Sequence, residues 1–319
     1  MIEIFYKSKG HIVSDVNPEI MESLGMDDVL WIDLNSPTGE EKRAAEEFLD
    51  TTLQSRAQAE EIESSSRYSE TENTIFANTN FLIPGPEEYA SEPVSFILCE
   101  SIMVTLRHAP LRSLTDVQRR LLTNYKQFPT GYHIMVSILE NRIDMDADLI
   151  ELLAKEITQL SRRMDLGESM GDEFLLDVNQ LQENTMVVRE NGVDKQRMIS
   201  SILKSDKFPR DVFAKLEVLN RDVDSLINHA NFSFERLEYL QNTALGLINL
   251  EQNKLMRVFT FVSLLLMPPT LIASIYGMNI KLPMIKDGNS VWDFAVILGV
   301  MLLSVVLSVF IFRNKKVVK

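Results

Sequence analysis

The sequence predicts an α+β cytoplasmic domain joined to a long stalk helix and a two-helix transmembrane hairpin. Two uncharged apolar stretches, residues 258–275 and 294–312, lie within the last 62 positions. Apolar runs that alternate or contain β-branched residues fill the chain to about position 105, and the pattern beyond Pro110 is helical. Because a helix needs roughly 20 apolar residues to cross about 30 Å of hydrocarbon, each stretch is long enough to span a bilayer.

Residues 1–131 are predicted to form the mixed α/β domain. A helix is expected over residues 37–48, with Ser36 as its N-cap and Pro37 at its first position, where proline is favoured. A turn is expected at residues 84–88, where Pro-Gly-Pro interrupts the pattern. The predicted strands share alternation or β-branching, and they cover residues 2–6, 30–34, 74–76, 94–99 and 101–105.

Long helices are predicted for the middle of the chain, residues 132–208. One is expected over residues 132–164 and another over residues 172–204, and glycines at 167 and 171 separate them.

A third long helix is predicted over residues 209–276, the stalk helix. Pro209 begins it, and no proline or clear cap interrupts residues 210–267, so it continues from the cytoplasm into a first transmembrane span at about 258–276. At 1.5 Å per residue the uninterrupted part is about 90 Å long, which one chain alone does not support. The pair Pro268-Pro269 is expected to kink or unwind it.

The cations around the two spans predict their orientation. Lys254 and Arg257 precede the first span, and a basic tail at residues 313–319 follows the second span, residues 294–312. Positive flanks favour the cytoplasm, so the loop at residues 277–293 is expected outside the cell or in the periplasm. The predicted location is the cytoplasmic membrane of a bacterium or archaeon, with membrane lipid as a partner and both termini in the cytoplasm.

Charge divides the chain into two parts. Residues 1–253 hold 44 of the 46 acidic and 24 of the 32 basic residues, a net charge of −20, while the remainder carries +6. Such an acidic part repels nucleic acid and attracts cations, so no nucleic-acid partner is expected. The single cysteine, Cys99, excludes an internal disulfide framework.

A polar seam runs along the stalk helix at alternating steps of four and three residues, the spacing of a supercoiled helix face. Its members are small, polar or methionine: Asn242, Asn249, Asn253, Met256, Thr260, Ser263, Met267, Thr270 and Ser274, with Gly246 in register. Such a seam in a membrane helix faces other helices or water. Tight helix packing is one interpretation. Several buried amides favour the other, a symmetric ring of these helices around a wet axis.

The seam's chemistry suits a hydrated ion. It contains no carboxylate, imidazole or thiolate, so it offers amide and hydroxyl oxygens and thioethers rather than ligands for a transition metal. Mg²⁺ loses its waters reluctantly and fits such neutral donors. Met256 and Met267 are expected to form apolar constrictions, and Asn279 is expected to offer oxygens at the mouth.

Several residues resemble the CorA-type magnesium transporters, the 2-TM-GxN metal ion transporters. These are Tyr276-Gly277-Met278-Asn279, the pair Met267-Pro268, the two C-terminal spans with a basic tail, and the large acidic N-terminal part. The resemblance implies a homopentameric funnel-shaped channel whose first spans line the pore and whose second spans surround them. It also implies passive transport of magnesium, often with cobalt and nickel.

The resemblance further implies roles for individual residues. Gly277, Met278 and Asn279 match the outer selectivity filter, and Asn253 with Met256 matches the inner narrowing. Intracellular Mg²⁺ is expected to close the pore by bridging carboxylates between subunits. The candidates for those regulatory sites are Asp172, Glu173, Asp177, Glu217, Asp222 and Asp224. One departure is the loop after Asn279, which is net basic and should attract external cations weakly.

Other activities find no support in the motifs. The chain has no Walker A sequence, no dinucleotide-binding glycine motif and no His-Glu-x-x-His, so neither an enzyme nor an organic cofactor is expected. Two alternatives stay open beside a magnesium channel: a cobalt/nickel or zinc transporter of the same architecture, and a membrane-anchored sensor or scaffold without ion flux.

Overall fold

The computed structural model describes residues 1–54, 67–86, 88–165, 172–278 and 291–314. It divides into two compact units, Met1–Asn242 and Thr243–Lys319. Seven strands make one sheet in the first unit: β1 (Ile2–Ser8), β2 (His11–Asp15), β3 (Val29–Asn35), β4 (Tyr68–Glu70), β5 (Thr74–Pro84), β6 (Tyr89–Cys99) and β7 (Ile102–Arg107). The predicted strands 2–6, 30–34, 74–76 and 94–99 lie within β1, β3, β5 and β6, and the predicted strand 101–105 is β7 except for Ser101, which belongs to the turn before it.

The sheet has the order β2-β1-β3-β7-β6-β5-β4. The central pair β3 and β7 is parallel, and every other neighbouring pair is antiparallel. The two parallel strands lie at the buried centre of the sheet. Six of the seven β3 residues and all of β7 are buried, as expected of parallel strands that are covered on both faces. The long β5–β6 hairpin turns between Pro84 and Tyr89, where a turn was predicted.

Six α-helices complete the described chain: α1 (Gly39–Leu49), α2 (Arg112–Thr123), α3 (Gly131–Asp165), α4 (Asp172–Ile202), α5 (Arg210–Tyr276) and α6 (Val291–Asn314). Two short 3₁₀ turns lie at Pro18–Ser23 and Tyr125–Gln127. The three predicted long helices are confirmed as α3, α4 and α5, with boundaries within two residues. The sequence predicted that Pro268 and Pro269 kink or unwind the helix. The helix continues through both residues, so it does not unwind there, and the kink stays a prediction.

The start of α1 corrects the predicted cap. The N-cap is Thr38, not Ser36, and the helix begins at Gly39. Thr38 Oγ1 accepts from the Glu41 amide, and Glu41 Oε2 accepts from the Thr38 amide, so two orphan helix donors are satisfied reciprocally. Ser36 instead has φ 44° and donates its hydroxyl to the His108 carbonyl.

Two hydrophobic cores lie on opposite faces of the sheet. One contains Phe5, Trp31 and Phe96 together with apolar residues from α2, α3, α4 and the first part of α5. The other is smaller and packs Ile32 and Leu34 against Ala45 and Leu49 of α1. The predicted mixed α/β domain and its long helices therefore form one sheet that helices cover on both faces.

Helix α5 is the one element, among the described residues, that contains an 18-residue window apolar enough to cross a membrane, and no residue of that window is buried. A shorter apolar stretch, Phe294–Phe310, lies in α6. The α6 helix includes the whole of predicted span 294–312. Exposed apolar surface on this scale indicates an interaction with lipid or with other chains.

Candidate functional site

The polar seam of α5 is exposed along its whole length. All nine residues named for it from the sequence are exposed, from Asn242 to Ser274. Met256 is 58% exposed and Met267 is 64% exposed. Large apolar neighbours are exposed too, so exposure alone does not identify the seam as a pathway.

The covered face of α5 identifies the seam more sharply. Between positions 261 and 276 the half-buried residues follow helical spacing, and they are Leu264, Leu265, Pro268, Pro269, Ile272 and Tyr276. At 100° per residue this face centres about 170° from the seam residues of the same segment. Within the described chain, the side of α5 that other residues cover is therefore opposite the side that carries the polar groups.

A matching half-buried stripe runs along α6. It consists of Ile297, Met301, Ser304, Val305 and Ser308, again at spacings of three and four residues. The two serine hydroxyls are used inside their own helix, since Ser304 donates to the Met301 carbonyl at 2.7 Å and Ser308 to the Ser304 carbonyl at 2.8 Å. The hydroxyls of α6 therefore need no partner on another element.

Two threonine hydroxyls of the seam donate their protons to the helix backbone and keep their oxygen lone pairs free to accept. Thr260 donates to the Met256 carbonyl at 2.7 Å, and Thr270 donates to the Leu266 carbonyl at 2.8 Å. Because each hydroxyl proton is already engaged, the oxygen is left to accept hydrogen bonds or to coordinate a cation. The seam thus presents neutral oxygen acceptors.

The predicted filter begins at the C-terminal end of α5. The Gly277 amide donates to the Ala273 carbonyl at 2.9 Å, and the Met278 amide donates to the Ile275 carbonyl at 3.3 Å. A Cβ on Gly277 would lie 3.1 Å from the Ala273 oxygen, so the turn is tight at this glycine. Carbonyls at a helix C-terminus carry partial negative charge, which favours cations. Asn279 lies outside the described residues, as do residues 280–290 of the predicted loop and residues 315–319 of the tail.

The predicted regulatory carboxylates do not form a cluster in one chain. Across the described residues, no group of three or more His, Cys, Asp or Glu side chains is arranged to hold a metal. Asp177 is paired with Arg163 at 2.6 Å, and Asp224 accepts from Gln196 at 3.0 Å. The remaining four are exposed: Asp172, Glu173, Glu217 and Asp222.

Sequence reasoning missed a buried charge cluster between the sheet and the helices. Lys195 of α4 lies 3.0 Å from Asp146 Oδ2 of α3, and Arg142 donates through Nε to Asp146 Oδ1 at 2.9 Å. Arg142 also donates to the Leu82 carbonyl at 2.9 Å, and Lys195 donates to the Asn80 carbonyl at 3.1 Å. The cluster therefore fastens α3 and α4 to strand β5.

Desolvation dominates the electrostatics of this cluster. Burial lowers the pKa of Lys195 to about 8, although the Asp146 carboxylate opposes that shift. The cluster holds two cations and one anion, so one positive charge is not compensated within it. A signal was available in the sequence, because Arg142, Asp146 and Lys195 occupy the apolar registers of their helices.

A comparison with known protein families matches most of the chain, including the described part of the seam. A family model described as "CorA-like Mg2+ transporter protein" matches residues 26–316. The chain belongs to the CorA family. The resemblance seen in the sequence is therefore confirmed, and membership of a transporter family also agrees with the expectation that the chain is not an enzyme.

Several relatives match the chain over almost its whole length. The magnesium transport protein CorA of Wolinella succinogenes is 33% identical over 322 residues, and the alignment covers 99% of each chain. The protein of the same name from Campylobacter jejuni is 32% identical over 326 residues, again with 99% of each chain covered. The complete structure of the CorA magnesium transporter from Methanocaldococcus jannaschii matches with a TM-score of 0.80 and 17% identity over 98% of each chain, which shows a shared fold.

Proposed function

We propose that this CorA chain forms a passive channel that carries hydrated Mg²⁺ into the cytoplasm along the polar seam of α5. The observation that carries the proposal is the opposition of two faces of α5. One face is covered by the chain's own residues, and the other carries exposed neutral oxygens and methionines. A polar face in a bilayer needs water or a partner, and a ring of such faces supplies a wet axis.

The chemistry of the seam supports Mg²⁺ with its water shell as the cargo. Thr260 and Thr270 offer acceptor oxygens that hydrogen-bond to the waters around the ion, and no charged group traps it. The partial negative charge at the end of α5 attracts the cation to the outer mouth, where Gly277, Met278 and Asn279 act as the selectivity filter. Met256 and Met267 are the apolar rings that close the path by excluding water.

The proposed assembly is a homopentamer with a funnel-shaped cytoplasmic part. In it α5 lines the pore, α6 forms the second span of a hairpin on the outer side, and both termini lie in the cytoplasm. The assembly is what the family resemblance implies, and the relatives named as magnesium transport proteins, which match nearly the whole chain, support the transported ion. The basic flanks of the two spans support the same orientation.

Intracellular Mg²⁺ is proposed to close the channel by bridging carboxylates of neighbouring copies. The described residues of one chain contain no group of three or more such ligands, which is compatible with sites shared between copies. Asp172, Glu173, Glu217, Asp222 and Asp224 are the exposed candidates, and Asp177 is the weakest because Arg163 already neutralises it. If subunit cross-linking and uptake by proteoliposomes do not respond to Mg²⁺ on the cytoplasmic side, this part is wrong.

The main test is Mg²⁺ uptake by proteoliposomes that contain the purified full-length chain. Asn279→Ala is expected to abolish selective uptake, and Thr270→Val is expected to reduce it while preserving side-chain shape. Ser308→Ala is the matched control, because that hydroxyl is satisfied inside α6. Unchanged flux in Asn279→Ala would favour the sensor or scaffold alternative instead.

The choice of metal is tested in the same vesicles by competition. Co²⁺, Ni²⁺ and Zn²⁺ are each added against Mg²⁺, and Mg²⁺ is expected to remain the preferred ion because the seam lacks soft or imidazole ligands. A stronger preference for Zn²⁺ or for Co²⁺ and Ni²⁺ would identify the chain as the other kind of transporter.

A further inference from the structure

A cavity lies beside the first turns of α3 and α5, within the first compact unit. Its volume is about 350 Å³, which is large enough for a small organic molecule. Phe128, Val136 and Val212 give it an apolar wall, and all three side chains are buried. Polar side chains of both charge signs line the same cavity, so an apolar molecule alone would not match it.

Two contacts fix the alignment of α3 and α5 beside this cavity. His133 Nε2 lies 3.1 Å from Asp211 Oδ2, and Arg236 donates to Thr158 Oγ1, also at 3.1 Å. Each contact joins residues that are 78 positions apart in the chain. The two helices therefore run parallel over this length, with a constant offset between facing residues.

The alignment brings three polar lining residues close together. Ser137 and Lys215 have the same offset as the two contacts, so they lie at one level on neighbouring helices, and Glu140 lies about 4.5 Å further along α3. Ser137 and Glu140 are three residues apart and share one face of α3. Arg120, in the last turn of α2, lines the cavity as well. Two cations, one carboxylate and one hydroxyl therefore surround a single space.

These four groups have no side-chain partner within the described residues. Ser137 is only 7% exposed, and its hydroxyl makes no hydrogen bond there, whereas the buried Thr185 hydroxyl donates to a carbonyl of its own helix at 2.6 Å. Arg120, Glu140 and Lys215 form no ion pair among the same residues. Because a buried polar group without a partner costs free energy, the Ser137 hydroxyl indicates a hydrogen-bonding occupant of the cavity.

We propose that this cavity binds a small zwitterion with an apolar body, the chemical class of the hydrophobic α-amino acids. Arg120 and Lys215 bind its carboxylate, to which the Ser137 hydroxyl also donates. Glu140 binds its ammonium group, and the apolar body packs against Phe128. An organic anion would leave Glu140 unpaired, and an amine would leave both cations unpaired. The inference goes beyond ion transport and does not depend on the proposed channel.

Ligand-observed nuclear magnetic resonance on the full-length protein in detergent tests the proposal, with L-phenylalanine as the probe. A ligand of this size is expected to bind with a Kd on the order of 1 mM. Phenylpropionate lacks the ammonium group and phenethylamine lacks the carboxylate. Each is expected to bind about tenfold more weakly, because one charge-assisted contact is lost.

Two variants assign the charged groups. Lys215→Gln is expected to weaken L-phenylalanine binding about tenfold without weakening phenethylamine binding, because only the first ligand has a carboxylate. Glu140→Gln is expected to weaken L-phenylalanine binding by a similar factor without weakening phenylpropionate binding. Arg221→Gln is the matched control, because it removes a cation from an exposed position of α5 that does not line the cavity.

Three results would overturn the proposal. These are no binding of L-phenylalanine at millimolar concentration, binding of phenylpropionate or phenethylamine as tight as that of L-phenylalanine, and an equal loss of binding in Arg221→Gln. Equally tight phenylpropionate would identify a site for organic anions instead. The measurement uses no vesicle and no ion gradient, so its failure is distinct from a failure of Mg²⁺ uptake.

Discussion

The two compact units of this CorA chain treat polar side chains in opposite ways. In residues 1–242, charged groups such as Arg142, Asp146 and Lys195 are buried and hydrogen-bonded to one another and to β5. In residues 243–319, neutral polar groups such as Asn253 and Thr270 are exposed, and so are the apolar residues around them. The first unit pairs its buried charges internally, whereas the second leaves polar and apolar side chains exposed alike within the described chain.

The largest effect on stability is expected from Asp146→Ala in the first unit. This change leaves the buried cations Arg142 and Lys195 without their shared carboxylate, and breaking a buried ion pair costs about 3–5 kcal/mol. Chemical denaturation followed by circular dichroism measures the loss. The matched control is Asp222→Asn at an exposed position, which should change the free energy of unfolding by less than about 0.5 kcal/mol. A small effect of Asp146→Ala would contradict the first half of the comparison.

A pH-dependent effect is expected from Lys195. Burial lowers its pKa to about 8, from an ordinary value of 10.5. Between those two values the unfolded chain holds a proton that the folded chain has lost, so the stability of the native protein rises with pH by up to about 1.4 kcal/mol per pH unit. Below pH 8 both states are protonated and this contribution to the slope vanishes.

Lys195→Met isolates that effect. The variant removes the uncompensated buried charge, so it should be at least as stable as the native protein at pH 7 and should lack the rise between pH 8 and 10.5. Denaturation curves collected across this range measure the difference. An identical pH profile in the two proteins would show that Lys195 does not titrate in this window.

A smaller effect is expected at the start of α1. Thr38→Ala removes the side-chain acceptor of the capping box and should cost about 1 kcal/mol. Ser36→Ala should cost less, because the Ser36 hydroxyl bonds to the exposed His108 carbonyl and does not cap the helix. Denaturation of the two variants measures which residue stabilises the start of α1. A larger loss of stability for Ser36→Ala would indicate that Ser36 is the N-cap, as the sequence predicted.

Much of the fold was predictable because local patterns agree with the tertiary structure. Strands at residues 2–6 and 101–105 alternate or are β-branched, and Pro209 and the glycines near 170 separate the helices. The cap of α1 was missed because two hydroxyl residues, Ser36 and Thr38, lie on either side of Pro37, and the proline was taken as the first helical residue. The spacing of the capping box distinguishes them, because Glu41 stands three residues after Thr38 whereas Gly39 stands three residues after Ser36.

The pore-lining role of the seam stays a prediction. Heptad spacing selects Asn253, Thr260 and Thr270, and between positions 261 and 276 the half-buried face of α5 lies opposite the side that carries Thr270. In the proposed ring, the groups that face the seam belong to other copies, so neither the sequence nor one chain contains them. The buried cluster at Lys195 was missed because charged residues on long helices ordinarily lie on the solvated face.

The central claim is that the seam of α5 faces water while the rest of the apolar segment does not, and cysteine accessibility tests it most directly. Cys99, the single native cysteine, is buried, so introduced thiols are the accessible ones. Thr260→Cys and Ser263→Cys lie on the seam, and Val258→Cys and Val262→Cys lie at similar depth on other faces, all exposed within the chain. Proteoliposomes carrying each variant are treated with a charged methanethiosulfonate reagent, and both labelling and Mg²⁺ uptake are measured. Rapid labelling and blocked uptake are expected for the two seam variants, and slow labelling without block is expected for the other two. Equal labelling on all faces, or block from Val258→Cys and Val262→Cys alone, would contradict the central claim.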